Sequence, residues 1–203
     1  HINGALFDLG VSSMQLDETE RGFSYSQDAP LDMRMDRSKG ITAYEIVNSY
    51  EPGKLVKILR TYGEEKFATR IVENIVKARA IAPLNSTTEL ATLVKESIPA
   101  ATRRTGGNPA KRTFQALRIE ANDELGAITR ALPQALDLLM VHGRLVVMSF
   151  QSLEDRIVKE VFLEASTSKS PRNLPIELPE YAAKFSLVFR SGETPSQSEL
   201  DEN

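Results

Sequence analysis

The chain has no cysteine, no tryptophan and only two histidines among its 203 residues. Without cysteine there are no disulfides, no thiolate-held zinc or iron–sulfur cluster, and no thiol nucleophile. His1 and His142 are too few for a multi-histidine metal site. No apolar run approaches the ~20 residues that a membrane span needs. Nor does a basic stretch followed by an apolar one open the sequence, so the expected location is cytoplasmic. Basic charge is also scarce: 25 Lys and Arg stand against 28 Asp and Glu, a net charge of −3. That excludes an overall basic nucleic-acid coat and leaves room only for a local patch. No phosphate loop of the G-x-x-x-x-G-K-[ST] kind, no G-x-S-x-G elbow and no dinucleotide fingerprint occurs.

What remains is ordinary globular composition, with 41% apolar and 26% charged residues. The length suits one domain, or one domain carrying an insert. Gly4-Ala-Leu-Phe-Asp-Leu9 is a short apolar run of the kind buried in a parallel sheet, and it lies so close to the first residue that the chain reads as entered mid-fold. Residues 11–40 read as loop. Thr42 with Glu45, and Ser86 with Glu89, are capping boxes, and Pro52 suits a helix start. Residues 41–99 therefore form a block of three or four helices. Asn108-Pro109 opens a long amphipathic helix carrying Phe114, Leu117, Ala121, Leu125, Ile128 and Leu132, with a break expected near Pro133. His142-Gly143 reads as a turn before a second strand, Arg144–Phe150. Ser152 with Asp155 caps a further helix, and Phe185–Phe189 reads as a third strand.

Strands separated by helices imply an α/β fold with parallel pairing, whose ligands bind beyond the C-terminal strand ends. If the first two strands are neighbours, Asp8, Ser12, Ser149 and Gln151 converge at one mouth. Asp8 is then either a ligand-facing acid or a cap for the following loop amides. Five basic residues and no acidic ones lie between Thr102 and Ile119: Arg103, Arg104, Lys111, Arg112 and Arg118. Lys111, Gln115, Arg118 and Asn122 recur on one helix face, which fits either an RNA backbone or a solvated surface. Asp28, Asp32, Arg34 and Asp36 match no calcium-loop spacing and read as a salt-bridged loop. Phe23 and Tyr25 are either base-stacking residues or loop anchors.

Eight ordered segments resemble one family. They are Phe7-Asp-Leu-Gly-Val-Ser-Ser13, Gln15-Leu-Asp17, Arg21-Gly-Phe23, Pro30-Leu-Asp-Met-Arg-Met-Asp36, Tyr62-Gly-Glu-Glu65, Lys111–Ile119, Asn122-Asp-Glu-Leu125 and Ser149-Phe-Gln-Ser-Leu-Glu-Asp-Arg156. The chain is similar to the bacterial 16S ribosomal RNA cytosine-N4 methyltransferases, the small subunit methyltransferase H family. The resemblance implies an α/β, Rossmann-like methyltransferase that uses S-adenosyl-L-methionine. Residues 1–35 and 106–203 would form a partial core lacking its first strands, and 36–105 an inserted helical substrate-recognition domain. Asp8 and Gln15 would contact the cofactor. Asp8, Ser149 and Gln151 are the catalytic candidates. The target would be the exocyclic N4 amine of a cytidine in the decoding centre of 16S rRNA, so the partner is the small ribosomal subunit. Gln151 stands where the family usually carries histidine, and glutamine cannot take a proton at neutral pH. A core without its first strands exposes a sheet edge, which predicts dimerisation, as a homodimer, strand swapping or aggregation. Two other readings are a non-catalytic RNA-binding module and a different nucleotide enzyme, such as an NAD-dependent one.

Overall fold

The computed structural model of the chain describes residues 1–100, 107–171, 178–189 and 192–202. Strand β1 (Ile2–Asp8) is followed by a short helix α1 (Ser13–Asp17) and a pinned loop. The helical block comprises α2 (Ala43–Ser49), α3 (Pro52–Gly63), α4 (Ala68–Arg79) and α5 (Thr87–Ser97). Helices α6 (Lys111–Asn122) and α7 (Glu124–Leu138) lead into β2 (Leu139–Met148), α8 (Ser152–Ser166) and a short terminal helix, α9 (Gln197–Glu202).

The helix starts follow from local chemistry. Thr42 Oγ1 accepts from the Glu45 amide at 3.1 Å while Glu45 accepts from the Thr42 amide at 2.7 Å. Ser86 and Glu89 repeat that exchange at the start of α5. Each pair satisfies two otherwise orphaned helix donors. The apolar stripes of these helices then merge into one core. It gathers Leu31 and Met33 from the loop, Ile46 from α2, Leu59 from α3, Ile71 and Ile75 from α4, Leu90 from α5, and Phe114 and Leu117 from α6. This packing runs from residue 31 to residue 117 and so extends past positions 36 and 105 on both sides.

A second, smaller core lies on the sheet. Strands β1 and β2 pair in parallel, with Ala5 opposite Leu145, Phe7 opposite Val147 and Asp8 opposite Met148. Phe7, Leu9, Leu145 and Val147 pack against Ile128 and Leu132 of α7 and Val158 of α8. The alternate residues face the other way, and Leu6, Val146 and Met148 are 65%, 51% and 42% exposed. Among the described residues the sheet has these two strands only.

Three expectations from the sequence are corrected. The long helix breaks at Asp123, not at Pro133. Asp123 adopts φ 49°, ends α6 and begins α7, and its carboxylate lies against the Cα of Gly126, where any side chain would collide with it. Short polar residues tolerate that left-handed conformation better than most. Pro133 sits inside α7, costing one ladder hydrogen bond, while Ile128, Leu132, Ala135 and Leu136 bury the helix on both sides of it. His142-Gly143 does not precede β2 but lies within it. His142 has φ 68°, and three extra residues of β2 bulge between the pairings Ile2–Leu139 and Gly4–Arg144. Phe185–Phe189 is not a strand: it is irregular, Val188 and Phe189 are mostly exposed, and no described strand lies beside it to complete a ladder.

Leu117 is 1% exposed, so Leu117→Ala is expected to cost about 2–5 kcal/mol in urea unfolding, while Leu6→Ala stays within about 0.5 kcal/mol. Equal effects would contradict the contrast between the buried helical core and the open face of the sheet. The open apolar face and strand edges also predict concentration-dependent self-association, which sedimentation velocity would detect. A monomer across the whole concentration range would refute it.

Candidate functional site

Parallel pairing brings the C-terminal ends of β1 and β2 side by side. The ladder ends at Asp8 and Met148, and the Leu9 amide donates to the Met148 carbonyl at 3.1 Å. Two loops therefore leave the sheet from the same edge, one carrying Asp8 to Gln15 and the other Ser149 to Gln151. They touch at Gly10, whose φ is 97° and whose Cα faces the Phe150 ring. Asp8 is exposed, Ser149 and Gln15 are half-buried, and Phe150 is 74% exposed. Gln15 Oε1 accepts from the Ser12 amide at 3.1 Å, which holds the start of α1 beneath this edge and leaves the Gln15 amide nitrogen free to donate.

The second loop is held from below by Glu154, which is 1% exposed. Its carboxylate accepts from the Phe150 amide at 3.0 Å and from Gln151 Nε2 at 2.9 Å. The orientation of the Gln151 amide is thereby set: nitrogen towards Glu154, with the buried Oε1 left without a partner. The sequence reading placed this helix cap at Ser152 and Asp155. The N-cap position is one residue earlier, at Gln151, and no side chain caps it. Gln151 forms no capping box, so no local pattern marks Glu154, whose buried carboxylate reaches back to the Phe150 amide.

Glu154 also acts on Glu124. Arg118 of α6 grips Glu124 of α7 through two contacts, Nε to Oε1 at 2.8 Å and Nη2 to Oε2 at 3.1 Å. Burial pushes the Glu124 carboxyl above its ordinary pKa and the nearby Glu154 pushes it the same way, against the pull of Arg118. Other members of the sequence-predicted basic face are engaged too. Gln115 donates to the Tyr62 carbonyl at 3.0 Å, Arg112 to the Glu64 carbonyl at 2.9 Å, and Asn122 to the Met33 carbonyl at 2.8 Å. Lys111 is exposed. Arg103 and Arg104 lie outside the described residues.

The loop from Arg21 to Asp36 is a structural brace. Arg21 Nη2 donates to the carbonyls of Arg34 and Met35, and Asn122 Oδ1 accepts from the Met35 amide at 2.6 Å. Asp32 pairs with Arg34 at 2.7 Å and with Arg37 at 3.4 Å. The Ser38 hydroxyl and amide, with Lys39 beside them, draw the Asp36 carboxyl down to about 2. Phe23 is 7% exposed and Tyr25 stands edge-on to Phe114 at 5.6 Å, so both are loop anchors. Phe150 is the aromatic ring left free at the strand ends.

This arrangement has known relatives. The MraW methylase family matches residues 1–203. The chain belongs to that family. Over 202 residues it is 57% identical to the ribosomal RNA small subunit methyltransferase H of Rhodococcus jostii and 57% identical to that of Corynebacterium diphtheriae. It is 55% identical to the protein of the same name in Mycobacterium marinum. All of this chain is covered in each comparison, against 60% of the first two relatives and 51% of the third. The chain thus spans about 60% of the length of the first two curated relatives. Within the MraW family match fall both strand-end loops, the Arg118–Glu124 pair and the helical block. No described helix is long and apolar enough to cross a membrane.

Arg118→Met would leave Glu124 buried without its cation, at a cost of about 3–5 kcal/mol near pH 7. An acid whose folded pKa lies above its unfolded value favours the folded state when protonated, and that contribution is lost as pH rises through the folded value. The penalty should therefore shrink between about pH 7.5 and about pH 5, and it should shrink for Arg118→Met but not for Arg118→Met with Glu124→Gln. Thermal melts at both pH values check this, and a pH-independent penalty in the single variant would refute it.

Proposed function

We propose that the edge formed by the ends of β1 and β2 is the methyl-transfer site of an S-adenosyl-L-methionine-dependent enzyme acting on small-subunit ribosomal RNA, with the N4 amine of a decoding-centre cytidine as acceptor. The observation that carries this reading is the parallel β1–β2 pairing, which sets Asp8 beside Met148 and so gathers the two motif-bearing loops at one place. The names of the relatives support the class of reaction and the RNA.

The residues present suit the cofactor. An exposed carboxylate at a strand end, a side-chain amide with a free donor, and a glycine at positive φ together suit a polar, cationic ligand pressed close to backbone. Asp8 and Gln15 would hold it. Bound there, S-adenosylmethionine supplies an electrophilic methyl group on a sulfonium.

The protein's own part is alignment and exclusion of water, because displacement at a methyl carbon requires donor and acceptor in line. A cytosine amine is a weak nucleophile, its lone pair being delocalised into the ring. A carbonyl oxygen accepting from its N–H turns that lone pair towards the methyl group. Ser149 is the half-buried acceptor in this loop, and the Gln151 amide, held by Glu154 with its Oε1 buried, would have to turn outward to join it. Glutamine takes no proton at neutral pH, so the acceptor orients the amine and the proton leaves to solvent after transfer. The base must leave its stack to reach a pocket of this kind, and the free Phe150 ring is placed to stack on it. The helical unit is the RNA-recognition part. The cytoplasm, where ribosomal subunits are assembled and modified, is the compartment this function requires.

Calorimetric titration of S-adenosylmethionine into this chain, extended to the relatives' full length, tests the reading. Binding should be measurable, and Asp8→Ala should weaken it ~10–100-fold, the loss of a charge-assisted hydrogen bond. Equal affinity of the two proteins would remove Asp8 from the cofactor site.

A further inference from the structure

We propose that the corner of the helical unit where the C-terminal end of α3 meets the starts of α4 and α6 is a docking surface for the RNA phosphate backbone, made by Arg60, Lys66, Arg70, Lys111 and Arg112. The inference rests on the ribosomal RNA reading and adds to it where the RNA lies. It assigns Arg60, Lys66 and Arg70, on a separate stretch of chain, to the same surface as the Lys111-Arg112 pair.

The geometry joins the two stretches. The Cα of Gly63, the last residue of α3, is packed so closely on the Arg112 backbone that a side chain there would collide with it. Arg112 Nη1 donates to the Glu64 carbonyl at 2.9 Å, just past the end of α3. One turn back on α3, Arg60 Nη2 donates to Thr69 Oγ1 of α4 at 2.9 Å, beside Arg70. All five cationic residues are exposed. None of them makes an ion pair with a described residue, whereas Arg118 is spent on Glu124. The acids near the corner are few. Glu64 is exposed, Glu65 is buried with its carboxylate accepting from the Phe67 amide at 2.9 Å, and Glu73 stands one turn further along α4. In a chain with net charge −3, five unpaired cations around one corner form a local concentration of charge and not a sample of an evenly basic surface.

The side-chain chemistry selects phosphate. Two of the arginines are already oriented by one hydrogen bond each and keep further N–H groups pointing outward, so less ordering is needed when they grip a phosphate. Lysines at the margins add charge without direction. The corner is separate from the strand-end loops, so its role is to hold the RNA and not to touch the reacting base.

The test is binding of a small-subunit rRNA fragment to this chain by fluorescence anisotropy across a salt series, with Arg60→Ala, Lys66→Ala and Arg70→Ala combined. The triple variant should bind at least ~10-fold more weakly near physiological salt, and the slope of log K against log salt should fall by about 2, for two to three lost phosphate contacts. Replacing both arginines with lysine, and keeping Lys66, should retain most of the slope, because the charge remains. Melting temperature should be unchanged in both variants. An unaltered slope in the triple variant would overturn the corner while leaving the ribosomal RNA reading intact. If the unaltered chain does not bind the rRNA fragment in low salt, both fall. A triple variant that loses binding and melting temperature together would also count against the proposal if the lysine variant, folded normally, lost the slope as well.

Discussion

Two cores meet in this chain, and the ion pair between Arg118 and Glu124 spans them. Arg118 lies on α6, whose apolar side belongs to the helical core. Glu124 opens α7, whose apolar side belongs to the sheet. Asp123, in the left-handed conformation between them, turns the chain so that the two side chains meet with both oxygens and two nitrogens engaged. A buried carboxylate stripped of its cation is strongly unfavourable, so the pair holds the two units in one arrangement even though it adds little net stability over an apolar substitute. Glu154 extends this polar seam to the ends of the strands, where it fixes the backbone of Phe150 and the amide of Gln151.

That seam links packing to chemistry. A site built from two loops at a sheet edge has no rigidity of its own. Here one loop is held by the Leu9–Met148 backbone bond and the Gln15 cap, and the other by a buried carboxylate. The loop after Arg21 is in turn pinned to α6 through Asn122.

Several of the motifs turn out to serve architecture. The segment from Pro30 to Asp36 binds itself to Arg21 and Asn122. Phe23 and Tyr25 are anchored in the core. Gln115 and Arg118, which on a helical wheel stand together on the polar face, are tied to Tyr62 and Glu124. A helical wheel shows which residues share a face, but it does not show what packs against that face.

The nature of the elements was legible from local chemistry. Capping boxes at Thr42 and Ser86, the apolar i, i+3, i+4 stripes and the two Val- and Leu-rich runs mark helices and strands through backbone satisfaction and burial, which act over a few residues. The family was legible as well, because its motifs are contiguous strings. The parallel pairing that makes Asp8 and Ser149 neighbours was an inference from strand–helix alternation, and the structure supplies its register. Other features depended on contacts between residues far apart in the chain, and no local pattern encodes them. The break at Asp123 separates a helix packed in the helical core from one packed on the sheet. The bulge at His142 lies in the register between β1 and β2, and among the described residues Phe185–Phe189 has no strand beside it. The charged corner depends on Gly63 meeting Arg112 across some fifty residues. Short-range hydrogen bonding and periodic burial are written in neighbouring residues, whereas charge pairing and strand register are decided only when distant segments are brought into contact.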